Sequence, residues 1–206
     1  MLAILRHDHA PSGEAVLKAM FAARKSVFVD LLKWDVQVVD GRYEVDQFDD
    51  AYATYLVLMG AAGEHLGSAR LLQTTRPHIL GSLYPALCAD APPTGPHILE
   101  ITRFCLDRRL RAPERRRVRD TLVAGLVDHA LQAGITAYSA VAEMGWLQQI
   151  LSFGWRCAPL GLPQRVEGKL LGAIRIDIDG QTPARLAAAG ITPMVPLAPA
   201  GVREAA

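Results

Sequence analysis

Apolar residues recur at near-helical spacing in the first part of the chain: Val16, Leu17, Met20, Phe21, Val27, Phe28 and Leu31. That period predicts a helix from an N-cap at Ser12 toward Leu32, after a short strand at 2–6. Between Lys33 and Asp50 the period fails and charges mix with aromatics, which predicts a structured loop. Tyr52–Met59 and Gly67–Gln73 are rich in strand formers and flank a turn at Ala61-Ala62-Gly63-Glu64, so they read as a hairpin. Residues 74–96 carry five prolines and read as a long irregular connection. His97–Leu106 reads as the next strand. Pro113 opens a helix to about Gln132, with Val118, Leu122, Leu126 and Ala130 on one face. Thr136–Ala142 reads as a strand, Trp146–Ser152 as a helix and Ala173–Asp179 as a last strand.

Strands interrupted by helices give an α/β class. The hairpin argues against a purely parallel sheet. The length of 206 residues suits one compact domain. We expect that domain over 1–190, with an Ala/Pro-rich tail over 191–206. The sequence contains neither a GxGxxG nor a GxxxxGK[ST] motif, which disfavours a dinucleotide fold and a P-loop.

Composition excludes several classes. There are 22 basic and 21 acidic groups, a net charge of +1. That balance predicts no global attraction to nucleic acid or membrane. No run approaches the ~18 apolar residues of a membrane span. Cys88, Cys105 and Cys157 form no CxxC pair and no zinc spacing, so they read as reduced thiols in a cytoplasm. His7 and His9 form an HxH pair without further ligands in register, and no metal is expected.

The informative residues are charges inside apolar segments. Arg24 lies among Phe21, Val27 and Phe28. Arg70 ends the run Leu66-Gly67-Ser68-Ala69. Glu100 and Arg103 interrupt the apolar strand 97–106. Charges are seldom buried without partners, and Asp46 and Asp49 are at hand to pair with Arg24, Arg70 or Arg103. Strand alternation places Glu100 and Thr102 on one face and Arg103 on the other, unless a bulge intervenes.

Arg24, Phe28, Trp34, Asp46, Asp49, Arg70, Glu100 and Arg103, in this order and at these intervals, resemble the defining set of the acyl-homoserine-lactone (autoinducer) synthases. The likeness runs through 21-FAARKSVFVDLLKWDV-36, 46-DQFDDAYATYLVL-58, 67-GSARLL-72 and 99-LEITRF-104, and more loosely through 143-EMGWLQQILSFGW-155.

The resemblance implies a single-domain fold like the GNAT N-acyltransferases: a twisted mixed β-sheet flanked by helices and splayed in the middle. It also implies an acyltransferase that makes a quorum-sensing signal. The amine of S-adenosylmethionine attacks an acyl thioester. Its carboxylate then displaces methylthioadenosine and closes the lactone. S-adenosylmethionine is a substrate here, and no tightly bound cofactor is expected.

On this reading Glu100 and Arg103 are catalytic, Glu100 as general base raised by its apolar neighbours. Arg24 holds a substrate carboxylate bidentately, and Phe28 and Trp34 cover the adenine or the sulfonium. Asp46, Asp49, Arg70 and Arg103 complete the S-adenosylmethionine site. Val141, Ala142, Met144, Trp146 and Leu147 lie where the family builds its acyl pocket. Where many members place a threonine or serine after the fifth main strand, this chain reads Ser139-Ala140-Val141-Ala142-Glu143, so the resemblance leaves a 3-oxo preference open.

Eight arginines fall between 103 and 119. Arg109, Arg111, Arg115, Arg116 and Arg117 form a basic surface that would steer an acidic acyl carrier protein or acyl-coenzyme A. Neither nucleic acid nor a membrane is an expected partner. The main alternative is a generic amine N-acetyltransferase. Its glycine-bearing phosphate loop is missing from Asp107-Arg108-Arg109-Leu110-Arg111-Ala112. A non-catalytic lactone sensor is the other.

Overall fold

The computed structural model describes residues 1–6 and 11–194. The His7/His9 pair and residues 195–206 lie outside the described residues. Within them the order is β1 (Leu2–Arg6), α1 (Pro11–Arg24), a π-helical turn (Lys25–Leu31), β2 (Val38–Val39), β3 (Tyr43–Glu44), β4 (Thr54–Met59) and β5 (His65–Gln73). Then follow α2 (Ile79–Leu83), a 3-10 turn (Pro85–Leu87), β6 (Ile98–Leu106), α3 (Ala112–Ala133), β7 (Ala137–Glu143) and α4 (Met144–Leu151). The order ends with β8 (Arg156–Pro159), β9 (Gln164–Val166), β10 (Lys169–Asp177) and α5 (Thr182–Ala188).

The main sheet runs β1-β4-β5-β6-β7-β10-β8, with β9 also on β10. Among its pairs only β6–β7 is parallel, because α3 carries the chain across between them. This is the mixed α/β sheet flanked by helices that the sequence led us to expect.

Register sorts the side chains cleanly. Leu56, Leu58, Ala69, Leu71, Ile101, Ala140 and Ile174 face α3 and α4 in the larger core. Helix α3 approaches β5 closely at Gly67, where a side-chain carbon would fall within 3 Å of Val118 and Leu122. Tyr55, Val57 and Leu72 face the opposite way, toward Leu17, Met20 and Phe21 of α1. Farther along that second face, Leu80 of α2 meets Ala173 and Val141. The second face also carries nearly all the buried charge.

Four differences from the sequence reading have local causes. The 33–50 loop contains the β2–β3 hairpin, turned at Asp40 (φ 53°) and Gly41 (φ 65°). Asp-Gly is the residue pair that a tight hairpin with two left-handed positions prefers. The connection 74–96 holds α2 and the 3-10 turn. β10 begins at Lys169 rather than Ala173, and β8 and β9 border it as exposed strands with no apolar alternation. Past the expected boundary at 190, Ile191 is buried and the Met194 N–H donates to Thr121 Oγ1 at 2.8 Å.

Candidate active site

Three arginines and three carboxylates meet on the second face. Arg24, at the end of α1, donates through both terminal nitrogens to Asp49 at 2.8 Å each and through Nε to Glu44. Arg70, from β5, donates to Asp46 at 2.6 and 3.0 Å and stands 2.8 Å from Asp49 Oδ1. Its Nε donates to Thr102 Oγ1 at 2.9 Å. Arg103 donates to Glu44 at 3.0 Å and to Asp46 at 2.7 Å. Tyr55 donates its hydroxyl proton to Asp49 at 3.0 Å. Formal charges balance three against three.

The balance is what makes burial tolerable. Removing Arg24 from water lowers its hold on its proton, but Asp49 and Glu44 outweigh that, so it stays charged. Burial likewise raises Asp49, while Arg24 and Arg70 hold its carboxyl well below the usual range. Asp46 is held down by Arg70 and Arg103 in the same way.

The sequence foresaw the pairing of Asp46 and Asp49 with Arg24, Arg70 and Arg103. It missed Glu44, which is fully buried and bridges Arg24 to Arg103. Its signal was the Asp40-Gly41 hairpin turn, which fixes the strand carrying Glu44. Arg24 also needs correction. It is 0% exposed and every arm of its fork is filled, so no substrate carboxylate can reach it. It holds Asp49 and Glu44 in place.

Arg103 reaches this cluster through a bulge. Ser68 pairs with Cys105 and Arg70 with Thr102, so β6 carries one extra residue between these pairs. Arg103 takes φ 50°, a region that non-glycine residues rarely adopt. The bulge turns its side chain onto the face of Thr102, which strict alternation would forbid. In the same stretch β6 leaves β7: their parallel pairing covers Ile98–Ile101 against Ala137–Ala140 and stops. Beyond it the sheet is open.

Phe28 and Trp34 form a wall beside Arg103. Their rings stack 4.7 Å apart at 15°, and the Arg103 guanidinium lies 5.7 and 5.8 Å from them. Phe28 is buried by the π-helical turn, and Trp34 is half-buried, with Lys169 Nζ 4.9 Å from its ring. Asp46, Arg103, Trp34 and Lys169 are the partly exposed groups here, so a ligand would meet those four first.

Glu100 shares the face but makes no ion pair. It is 0% exposed, and its two oxygens accept the N–H groups of Ile79 and Leu80 at 2.8 and 2.7 Å. Burial pushes it up to about 7, against those hydrogen bonds and the pull of Arg70 and Arg103. A carboxyl group poised there can exchange a proton near neutrality. Cys105, by contrast, is pushed up to about 12 by burial and stays a thiol.

The five expected acyl-pocket residues fall on two sides of the sheet. Val141 faces α2 with Leu80, Leu87 and Ala173. Ala142 and Leu147 are buried in the larger core, with Met144 and Trp146 packed against it. Of the expected docking arginines, Arg109 is tied to Asp107 at 2.7 Å. Arg111, Arg115, Arg116 and Arg117 are exposed and form no ion pair among the described residues. No group of three His, Cys, Asp or Glu side chains among the described residues could hold a metal, and no helix there is long and apolar enough to cross a membrane.

Comparison with known proteins gives a consistent result. The family model described as autoinducer synthase matches residues 8–186. An acyl-homoserine-lactone synthase of Ralstonia nicotianae is 33% identical over 184 residues, covering 86% of this chain and 89% of that protein. An isovaleryl-homoserine lactone synthase of Bradyrhizobium diazoefficiens is 34% identical over 173 residues, covering 82% and 76%. The structure of BjaI, a coenzyme-A-dependent acyl-homoserine lactone synthase with SAM and isopentyl-CoA, superposes with a TM-score of 0.84 at 30% identity, covering 92% and 89%. A putative N-acetyltransferase of Lactobacillus plantarum shares the fold at a TM-score of 0.57 and 19% identity.

Proposed function

The chain belongs to the autoinducer synthase family, and from that premise we propose how its own residues carry out acyl-homoserine-lactone synthesis. It is an acyltransferase that acylates S-adenosylmethionine from an acyl thioester and releases methylthioadenosine as the lactone closes. S-adenosylmethionine binds at the partly exposed side of the ion network. Asp46 accepts from the substrate ammonium, Arg103 donates to its carboxylate, and Trp34 offers a ring face to the adenine or the sulfonium. Arg24, Asp49, Glu44 and Arg70 hold these groups at fixed positions.

Two bonds must form. Glu100 takes a proton from the ammonium, leaving a neutral amine to attack the thioester carbonyl carbon. The thiol leaves and an amide remains. The carboxylate oxygen then attacks the γ-carbon, and the sulfonium leaves with both bonding electrons as methylthioadenosine. That second step needs a held geometry more than an acid or base. Arg103 serves it by fixing the carboxylate. The thioester enters where β6 and β7 part, and its acyl chain runs along Val141 toward α2 or along Met144 and Trp146.

Acyl-coenzyme A is the donor we favour over acyl carrier protein, on the likeness to BjaI. Arg111, Arg115, Arg116 and Arg117 receive its phosphates. Both substrates are cytoplasmic metabolites, which supports a cytoplasmic location for the enzyme.

The observation that carries this reading is the half-buried Asp46–Arg103 pair standing beside Trp34 at the opening of the sheet. The test is mass spectrometry of the purified protein with S-adenosylmethionine and a series of acyl-coenzyme A and acyl-carrier-protein donors. Acyl-homoserine lactone and methylthioadenosine should appear together. Amide product without methylthioadenosine would mark a generic N-acyltransferase instead.

A further inference from the structure

The Phe28–Trp34 stack leaves one face of Trp34 turned away from Phe28, and that face is taken. Lys169 Nζ stands 4.9 Å from the Trp34 ring, within the range at which a cation is drawn to a ring face. It cannot lie between the two rings, whose centroids are 4.7 Å apart. Arg103 is almost equally far from both, at 5.7 and 5.8 Å, so it borders the edge of the stack. The outer face therefore belongs to Lys169. The ring is held for this contact, because the Trp34 N–H donates to the Phe28 carbonyl oxygen at 2.8 Å. Its Nε1 is buried and, among the described residues, has no hydrogen-bond partner. Buried polar groups are nearly always satisfied, so this ring has the character of a site wall rather than of core packing.

Lys169 comes from the other side of the opening. The β6–β7 pairing ends at Ile101 and Ala140, and Trp34 packs with Val27, Phe28 and Cys105 on the β6 side. Lys169 opens β10, which pairs with β7 from Leu171 against Glu143 onward. The turn ahead of it uses Glu167 (φ 48°) and Gly168 (φ 82°), two left-handed positions that suit a tight hairpin, and Val166 pairs with Lys169 across it. The backbone of Lys169 is thereby fixed while its side chain reaches over the opening. Its ammonium also pairs with Glu143 at 3.2 Å, with both side chains more than a third exposed. An exposed pair of this kind is weak. It gives the ammonium a second place to rest when the ring is claimed.

We infer, on the reading of Trp34 as a wall of the S-adenosylmethionine site, that Lys169 is the resident cation of that wall: its ammonium holds the outer face of Trp34 before substrate binds, yields it to the sulfonium, and competes for it again once the lactone has closed. A sulfonium carries the same charge as the ammonium and makes the same kind of contact with the ring. For the substrate the exchange is therefore nearly even. Methylthioadenosine leaves with a neutral thioether, which brings no charge to the ring, so Lys169 opposes it more strongly. Lys169 thereby sets the affinity for substrate relative to product. It touches the ring and not the reacting atoms, which makes it a positioning residue.

The test is calorimetry of methylthioadenosine and of S-adenosylmethionine, each without acyl donor, on the wild type and on Lys169→Ala, Lys169→Arg, Glu143→Gln and Trp34→Ala. Lys169→Ala bares the ring face, so methylthioadenosine should bind about two- to fivefold tighter, the range of one exposed cation–π contact. Lys169→Arg keeps a cation on the ring and should stay near the wild type. Glu143→Gln removes the second resting place, so it should weaken methylthioadenosine binding. Lys169→Ala and Glu143→Gln delete the same ion pair, yet their effects should have opposite signs, which a merely structural role would not produce. Wild-type or weaker binding of methylthioadenosine in Lys169→Ala overturns the inference, as does tightening in both variants together. Trp34→Ala separates the layers. If it loses affinity for both ligands while Lys169→Ala matches the wild type, only the role of Lys169 falls. If it binds both as the wild type does, Trp34 is not a wall of the site, and the inference falls with that reading.

Discussion

Arg24 and Asp49 meet through two parallel hydrogen bonds of 2.8 Å, with both side chains fully buried, although they stand 25 positions apart in the chain. A carboxylate gripped in this way has no freedom left, and neither has the turn that carries it. The Asp46 N–H donates to Asp49 at 2.9 Å, so fixing Asp49 also fixes Asp46, a group that meets the substrate in our reading.

Arg24→Ala should therefore act first on stability. It leaves Asp49 and Glu44 as buried, unpaired charges, a loss of about 3–5 kcal/mol. Arg24→Lys should lose nearly as much, since one ammonium cannot reach both arms of Asp49 and Glu44 together. Urea unfolding of each variant checks this. A drop under about 1 kcal/mol, the range of an exposed pair, would remove Arg24 from its structural role.

Arg103→Ala and Asp46→Asn should behave differently. Both side chains are part-exposed, so the fold should tolerate their loss better, while affinity for S-adenosylmethionine should fall. Hydrogen bonds to charged groups are worth about 1.5–3 kcal/mol, or roughly 10–150-fold in affinity. Calorimetry with S-adenosylmethionine alone measures this without turnover. Unchanged affinity in both variants would place the amino-acid end of the substrate elsewhere.

Glu100 should set the acid side of the pH–activity profile. The carboxylate is the active form, so kcat/KM should fall about tenfold per pH unit below about 7. Its effect on stability has the opposite sign. The folded group binds its proton more tightly than the unfolded one, whose ordinary value is 4.5. Stability from this group is present below about 4.5 and is lost as pH rises toward 7. Glu100→Gln should flatten that loss in a series of melts from pH 4.5 to 7.5 and abolish amide formation. Asp46 and Asp49 work the other way: their contribution is present above 3.8 and is lost only as acid reaches their depressed values.

Charge reversal of Arg116 and Arg117 to Glu should raise KM for the acyl donor and leave KM for S-adenosylmethionine nearly unchanged. The effect should shrink as salt rises, since screening reaches ~8 Å at physiological ionic strength. Equal donor KM values across a salt series would make this an ordinary solvated helix face.

The sequence made the site legible where charge interrupts an apolar run. Arg24, Arg70, Glu100 and Arg103 declared themselves that way, and four of the eight expected site residues needed no other signal. The strands β4, β5, β6 and β7 were visible because each has at least one buried face. The edge was not: β8 and β9 are largely exposed, so no alternation marks them. Gly172 interrupts β10 and hid its first four residues. Glu44 escaped because the segment around it has no period, although Asp40-Gly41 announced its turn. The direction of Arg103 was beyond reach, since a bulge reverses alternation at one position without altering composition.

The ion pairs of Arg103 span 57 and 59 residues of chain. Closing loops of that length costs entropy before any contact repays it. The site is therefore a late product of folding, assembled after β5 has found β6. Lesions in these pairs should leave the folding rate nearly untouched and speed unfolding, so damage would show as a shortened lifetime of the finished enzyme.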